Sequence, residues 1–234
     1  MRQRWNDLLF AHWPIPPAQM APHIPRGLEL DTHDGHAWLG VVPFWMDQVR
    51  FRTLGAHTLS VPTASAFAEL NLRTYVRSPR TGKRGVLFFA LDCASPLAVL
   101  GARTVFQLPY FPARMRYQQT SAGLSYQSSR QLTTNSVRFD ATYAPTGPVL
   151  PLNALPPNPL ATFLTERYCL FTPFAGGILC GDIHHLPWPL QPAHADLRLN
   201  QLPAAHGLAL PGIPPVLHLS KHLEVYIWGL RRDR

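Results

Sequence analysis

The chain has 234 residues, 46% hydrophobic, with only 15% Asp, Glu, Lys or Arg, against roughly 25% charged in typical domains. That length suits one large domain spanning 1–234, able to hide about 70% of its unfolded surface. The net charge of +8 is almost all arginine, the lysines being Lys83 and Lys221 alone, and the arginines are scattered instead of forming a stripe, which argues against a nucleic-acid partner.

Leu8 to Trp13 reads as a short strand stopped by Pro14, Pro16 and Pro17. Pro17 to His23 has room for one or two helical turns. Leu28 to Thr32 and Ala37 to Phe44 flank Asp34-Gly35, which predicts a hairpin. Phe67 to Arg77 is a strand, with Gly85 to Asp92 as its partner across the turn Ser78 to Lys83. Ser95-Pro96 opens a short helix over Leu97 to Arg103, with Ser95 as N-cap.

Arg114 to Tyr117, Leu124 to Ser129 and Ser136 to Tyr143 follow as antiparallel strands. Ala144 to Pro159 is rich in proline and predicts an extended surface loop. Asn158-Pro159 starts a helix running to Glu166 or Arg167. Cys169 to Phe174 and Ile178 to His185 flank Gly176-Gly177 as another hairpin. Pro203 to Pro215 reads as irregular, and Val216 to Leu219 and Leu223 to Trp228 close the chain as strands. Many short strands, few helices and no βαβ rhythm predict an α+β fold with a mostly antiparallel sheet that curls or closes into a barrel.

The three cysteines, Cys93, Cys169 and Cys180, include no Cys-x-x-Cys pair and read as buried free thiols. The apolar run at the N-terminus is short and broken by Asp7 and His12, unlike a signal peptide. Prolines fill the long uncharged stretches Ala141–Thr165 and Gln201–Ser220, so neither is a membrane span. These features predict a cytoplasmic protein with no membrane partner.

The chemistry concentrates on Glu69-Leu70-Asn71-Leu72-Arg73-Thr74-Tyr75. Alternation puts Glu69, Asn71, Arg73 and Tyr75 on one face and Leu70, Leu72, Thr74 and Val76 on the other. The polar face is either wet or turned into a closed interior. An acid, an amide, a guanidinium and a phenol together suit ligand recognition. Arg73 and Glu69 stand two same-face steps apart, within reach of a direct pair or one through Asn71.

Glu166-Arg167-Tyr168 is a second polar group, readable as a helix-end salt bridge. Asp92 and Arg103 are further candidates, Asp92 also as a cap of the following helix. None of the eleven histidines has a metal-ligand spacing, so no metal is expected. Walker, Gly-x-Gly-x-x-Gly and Gly-x-Ser-x-Gly motifs are absent, and no cofactor is expected.

Several blocks together resemble one family. They are Trp5 through Trp13, Leu28-Glu29-Leu30-Asp31 with Ala37-Trp38, and Glu69 through Val76. Gly101-Ala102-Arg103, Leu108-Pro109-Tyr110-Phe111, Phe163 through Tyr168 and His185 through Leu190 continue them. In order, and over nearly the whole chain, they are similar to the YqjF-like family, a bacterial domain of unknown function in the acetoacetate decarboxylase-like superfamily. The resemblance implies a closed β-structure around a central cavity, with Glu69 as a cavity carboxylate. Acetoacetate decarboxylase itself uses a lysine as a Schiff-base nucleophile. Here Tyr110 or Phe111 occupies the corresponding place, so that route is closed.

The resulting expectation is a polar cavity for a small carbonyl or carboxylate ligand. Glu69, Arg73 and Tyr110 are its candidate catalytic residues, and Asn71, Tyr75, Arg103 and Glu166 its candidate ligand contacts. If the protein is an enzyme, lysine-independent lyase or isomerase-type chemistry is implied. The alternative is a non-enzymatic binding or structural protein, and the low charge fraction leaves room for a homo-oligomeric interface.

Overall fold

The computed structural model describes residues 1–52, 58–59, 65–131, 136–150 and 158–234. In chain order the strands are β1 (Arg2–Ile15), β2 (Glu29–Leu30), β3 (Ala37–Arg52), β4 (Thr58–Leu59), β5 (Phe67–Arg77), β6 (Arg84–Cys93) and β7 (Tyr110–Pro112). They continue as β8 (Arg114–Thr120), β9 (Gly123–Gln131), β10 (Ser136–Pro145), β11 (Cys169–Phe174), β12 (Gly177–His185), β13 (Leu190–Asn200), β14 (Val216–Ile227) and β15 (Arg231–Arg232). The α-helices are short: α1 (Pro17–Met20), α2 (Pro96–Val105), α3 (Pro159–Thr165) and α4 (Leu202–Ala205). The protein is thus mostly strand in a mixed sheet. No helix among the described residues is long and apolar enough to cross a membrane.

The pairings form a closed circuit of seven strands. β1 pairs β3, β3 pairs β5, β5 pairs β6, β6 pairs β11, β11 pairs β12, β12 pairs β14, and β14 returns to β1. The β6–β11 step is parallel and the others are antiparallel. β13 leaves the circuit from β14 and carries β10, β9 and β8 as a second layer. Alternate residues of each strand therefore feed two cores. Leu70 and Leu72 of β5 pack with Tyr126, Phe139 and Tyr143 of the second layer. Tyr75 packs with Leu8 and Phe10 of β1, Val42 and Phe44 of β3, and Phe163 and Leu164 of α3 on the other side.

Ser95 and Asn158 do cap α2 and α3, accepting from the amides of Ala98 and Ala161. Other expectations need correction. Asp34 and Gly35 both take positive φ, 49° and 76°, as a tight turn demands. Yet the turn is closed only by a His33–His36 bridge, and β2 pairs with β5 rather than β3. β1 runs past Leu8–Trp13 at both ends: Arg2 to Asn6 also pair with β3 and β14, and Pro14 lies at the strand end, where β3 still pairs with it. β14 is one strand rather than two, and β13 was not anticipated, because Pro192 and three charged or histidine side chains disguise its alternation. Within the expected loop Ala144 to Pro159, residues 144–145 belong to β10, 159 opens α3, and 151–157 lie outside the described residues.

Candidate functional site

Both faces of β5 are buried from Ala68 to Val76, which settles the first ambiguity. The polar face is not wet: Glu69 is 3% exposed, Asn71 5%, Arg73 7% and Tyr75 0%. The four divide into two groups along the strand.

At one end, the Tyr110 hydroxyl donates to Glu69 Oε2 at 2.8 Å, and Asn71 also hydrogen-bonds the carboxyl. β7 makes this possible. It runs parallel to β6, with Leu91 opposite Tyr110, so successive residues face opposite sides. Tyr110 packs toward the inner core and Phe111 toward the outer one. A pocket of about 450 Å³ opens beside the acid. Gln3, Glu69, Asn71 and Tyr110 supply its polar wall, and Trp5, Met46, Phe67, Phe88, Leu91 and Phe106 much of its apolar one. Leu97, Ala98, Gly101 and Ala102 place α2 over it.

Electrostatics distinguish this acid from the rest. Among the described residues, no arginine or lysine lines the pocket. Burial raises Glu69 from 4.5 to about 8, with the hydrogen bonds from Tyr110 and Asn71 opposing the rise. Burial, reinforced by Glu69, likewise pushes Tyr110 well above an ordinary phenol. At pH 7 the pair is therefore a neutral carboxyl and a neutral phenol, able to donate and accept protons in an apolar setting.

At the other end, Arg73 does not pair with Glu69. Its Nη2 lies 3.4 Å from the Leu164 carbonyl oxygen and 3.5 Å from the Tyr75 hydroxyl. Tyr75 donates to the Leu164 carbonyl at 2.6 Å and meets His12 Nε2 at 2.6 Å. His12 was not anticipated as part of the site. Its signal was Leu8-Phe10-His12, an alternation continuing an apolar column into a histidine. Burial, with Arg73 and His218 adding to it, holds His12 well below the usual imidazole range, so it is neutral. Gly40 faces both residues across β3. A Cβ there would stand 3.0 Å from His12 Nε2 and 3.3 Å from Arg73 Cγ, closer than either side chain admits without shifting.

Arg103 and Glu166 do not join either group. Arg103 donates to the Tyr110 carbonyl at 2.6 Å from an exposed position, bracing the backbone of β7. Glu166 accepts from the Trp188 amide at 3.0 Å and from the Tyr168 hydroxyl, a helix-end arrangement. Asp92 does not cap α2. It is fully buried against Arg130, Nε to Oδ1 3.2 Å, with the Phe111 ring 4.2 Å from the guanidinium. Burial raises Asp92 to about 6 against the pull of Arg130. Asp31 and Arg167 form a further buried pair at 2.6 Å. Lys83 and Lys221 bond Asp182 and Asp7 at the surface, 2.6 and 2.9 Å away.

The architecture is similar to that of acetoacetate decarboxylase-like proteins. One solved structure, the enduracididine biosynthesis enzyme MppR complexed with pyruvate, matches at a TM-score of 0.64 and 12% identity, over 99% of this chain and 89% of that one. The acetoacetate decarboxylase of Legionella pneumophila matches at 0.60 and 14%, over 100% and 88%. The chain belongs to the DUF2071 family of uncharacterized conserved proteins, whose model matches residues 2–224. Among curated relatives, the uncharacterized protein YqjF of Bacillus subtilis is 44% identical over 232 residues, 99% of this chain and 92% of that protein.

Proposed function

We propose that the protein binds a small carbonyl compound in the Glu69 pocket and moves a proton there without a Schiff-base lysine. The observation that carries this is a carboxyl held protonated at neutral pH beside an apolar cavity, hydrogen-bonded to one phenol and one amide. In this reading the closed strand circuit is a barrel and the pocket is its cavity. Free buried thiols support a reducing, cytoplasmic setting.

The chemistry follows from the two neutral acids. Glu69 donates a hydrogen bond to the ligand's carbonyl oxygen, or, once ionised, removes a proton from the adjacent carbon while Tyr110 donates to the developing enolate oxygen. The proton returns to carbon or to solvent, so enolisation or isomerisation needs no further reactant. The neighbouring MppR structure holds pyruvate, which favours a small oxo compound as the ligand class here. Both lysines are held in surface ion pairs, which supports a route without an imine.

The test is proton exchange. Small ketones and 2-oxo acids are incubated in deuterium oxide and followed by proton NMR. Exchange of the protons next to the carbonyl is expected with the wild type and at least a hundredfold slower exchange with Glu69→Gln, as expected for loss of an acid–base group. Borohydride added to the same mixtures is expected to trap no covalent adduct. Equal exchange by a folded Glu69→Gln protein refutes the assignment.

A further inference from the structure

We propose that Arg73 is the centre of a second, separate site, inside the strand circuit, that takes the carboxylate of a small organic monoacid. It does not rest on the Glu69 reading.

Three observations converge on it. First, Arg73 is 7% exposed and meets no carboxylate within ion-pair distance among the described residues, whereas buried Arg130 and Arg167 have Asp92 and Asp31. A buried guanidinium without a counter-ion is costly, and an exogenous anion removes that cost. Second, further unpartnered buried donors belong to the same core. Arg73 Nε, Arg167 Nη2 and Trp188 Nε1 all lack a hydrogen-bond partner. Phe10 links them, its ring 5.3 Å from the Arg73 guanidinium and 4.9 Å from the Trp188 ring. Tyr75 completes the link, 5.8 Å from Arg73 and 4.8 Å from Arg167. Third, the absence of a side chain at Gly40 leaves room for Arg73 and His12 to lie where they do.

Charge and shape select the ligand. Asp31 faces Arg167 and the solvent-exposed Arg84, and His12 is neutral, so Arg73 is the buried charge left without a counter-ion. A monoanion balances it, and a divalent phosphate overshoots. The planar fork of a guanidinium matches a carboxylate bidentately. The rings of Phe10, Tyr75, Phe163 and Trp188 form an apolar shell suited to a short hydrocarbon chain.

The experiment is titration of the full-length protein with acetate, butyrate and inorganic phosphate, read by calorimetry and by thermal melting. Saturable binding of butyrate with a rise in Tm is expected, with acetate weaker and phosphate inactive. Arg73→Met is expected to abolish the rise and to melt higher than the wild type without ligand. Arg73→Lys, which keeps the charge and loses the fork, is expected to bind at least tenfold more weakly and serves if the methionine variant does not fold. Glu69→Gln is expected to bind butyrate like the wild type, which separates this site from the pocket. Absence of saturable carboxylate binding, phosphate binding as well as butyrate, or undiminished binding by either Arg73 variant overturns the proposal.

Discussion

Glu69 and Asp31 are both buried carboxyls, and their surroundings drive them in opposite directions. Glu69 has a phenol, an amide and an apolar cavity, and burial raises it to about 8. Asp31 is also raised by burial, but hydrogen bonds from Arg84 and Arg167 outweigh that and leave it below its usual value. The first acid is held neutral beside open space, and the second is held charged between two arginines. The difference separates a group kept available for a ligand from one engaged in holding the fold.

The comparison breaks most visibly at Asp31. Asp31→Ala strands Arg167, 6% exposed, without its partner, and a loss of about 3–5 kcal/mol is expected in urea unfolding. Glu69→Gln is expected to leave stability at pH 5 nearly unchanged, because it replaces a neutral acid by a neutral amide.

The two acids also act on opposite limbs of the pH profile. Glu69 binds its proton more tightly folded than unfolded, so its contribution is complete below about pH 4.5 and is lost as pH rises toward 8. The rise from 4.5 to about 8 bounds that loss at about 5 kcal/mol. Asp31 binds its proton less tightly when folded, so its contribution is present above its unfolded value and lost as pH falls through its lower folded one. Stability measured from pH 3 to 9 is expected to fall at both ends, with Glu69→Gln flattening the alkaline limb alone.

Tyr110→Phe is a smaller perturbation, about 1–2 kcal/mol for one buried hydrogen bond. It removes a bond that lowers the Glu69 value, so carboxyl titration followed by carbon NMR is expected to move to still higher pH. Smallest of all are Lys83→Met and Lys221→Met, where loss of an exposed ion pair is expected to cost less than about 1 kcal/mol and to leave proton exchange unchanged.

Much of this was legible in the chain. Period-two alternation over Glu69 to Tyr75 located the polar face, and the Ser95 and Asn158 caps located α2 and α3. Alternation could not say whether the face was wet, since that depends on strands far along the chain. Nor could it divide the face in two. The split arises because β7 brings Tyr110 to Glu69 while α3 brings Leu164 to Arg73 and Tyr75. Arg103 and Glu166 sit close in sequence to groups that matter, but their side chains are engaged by the backbone of Tyr110 and Trp188. The pairs Asp92–Arg130 and Asp31–Arg167 join residues far apart in the chain, and no local pattern announces such a pair.

The three residues of β7 have a consequence of their own. Tyr110 touches the inner acid, and its neighbour Phe111 lies under the guanidinium that partners the outer one. A strand slipped by a single residue would turn each ring to the opposite face. Deleting one residue from the short link between α2 and β7 would therefore present phenylalanine to Glu69 and Pro112 to Arg130. That link works like the spacing of teeth on a key: its length, more than its composition, decides which of two locks each ring enters.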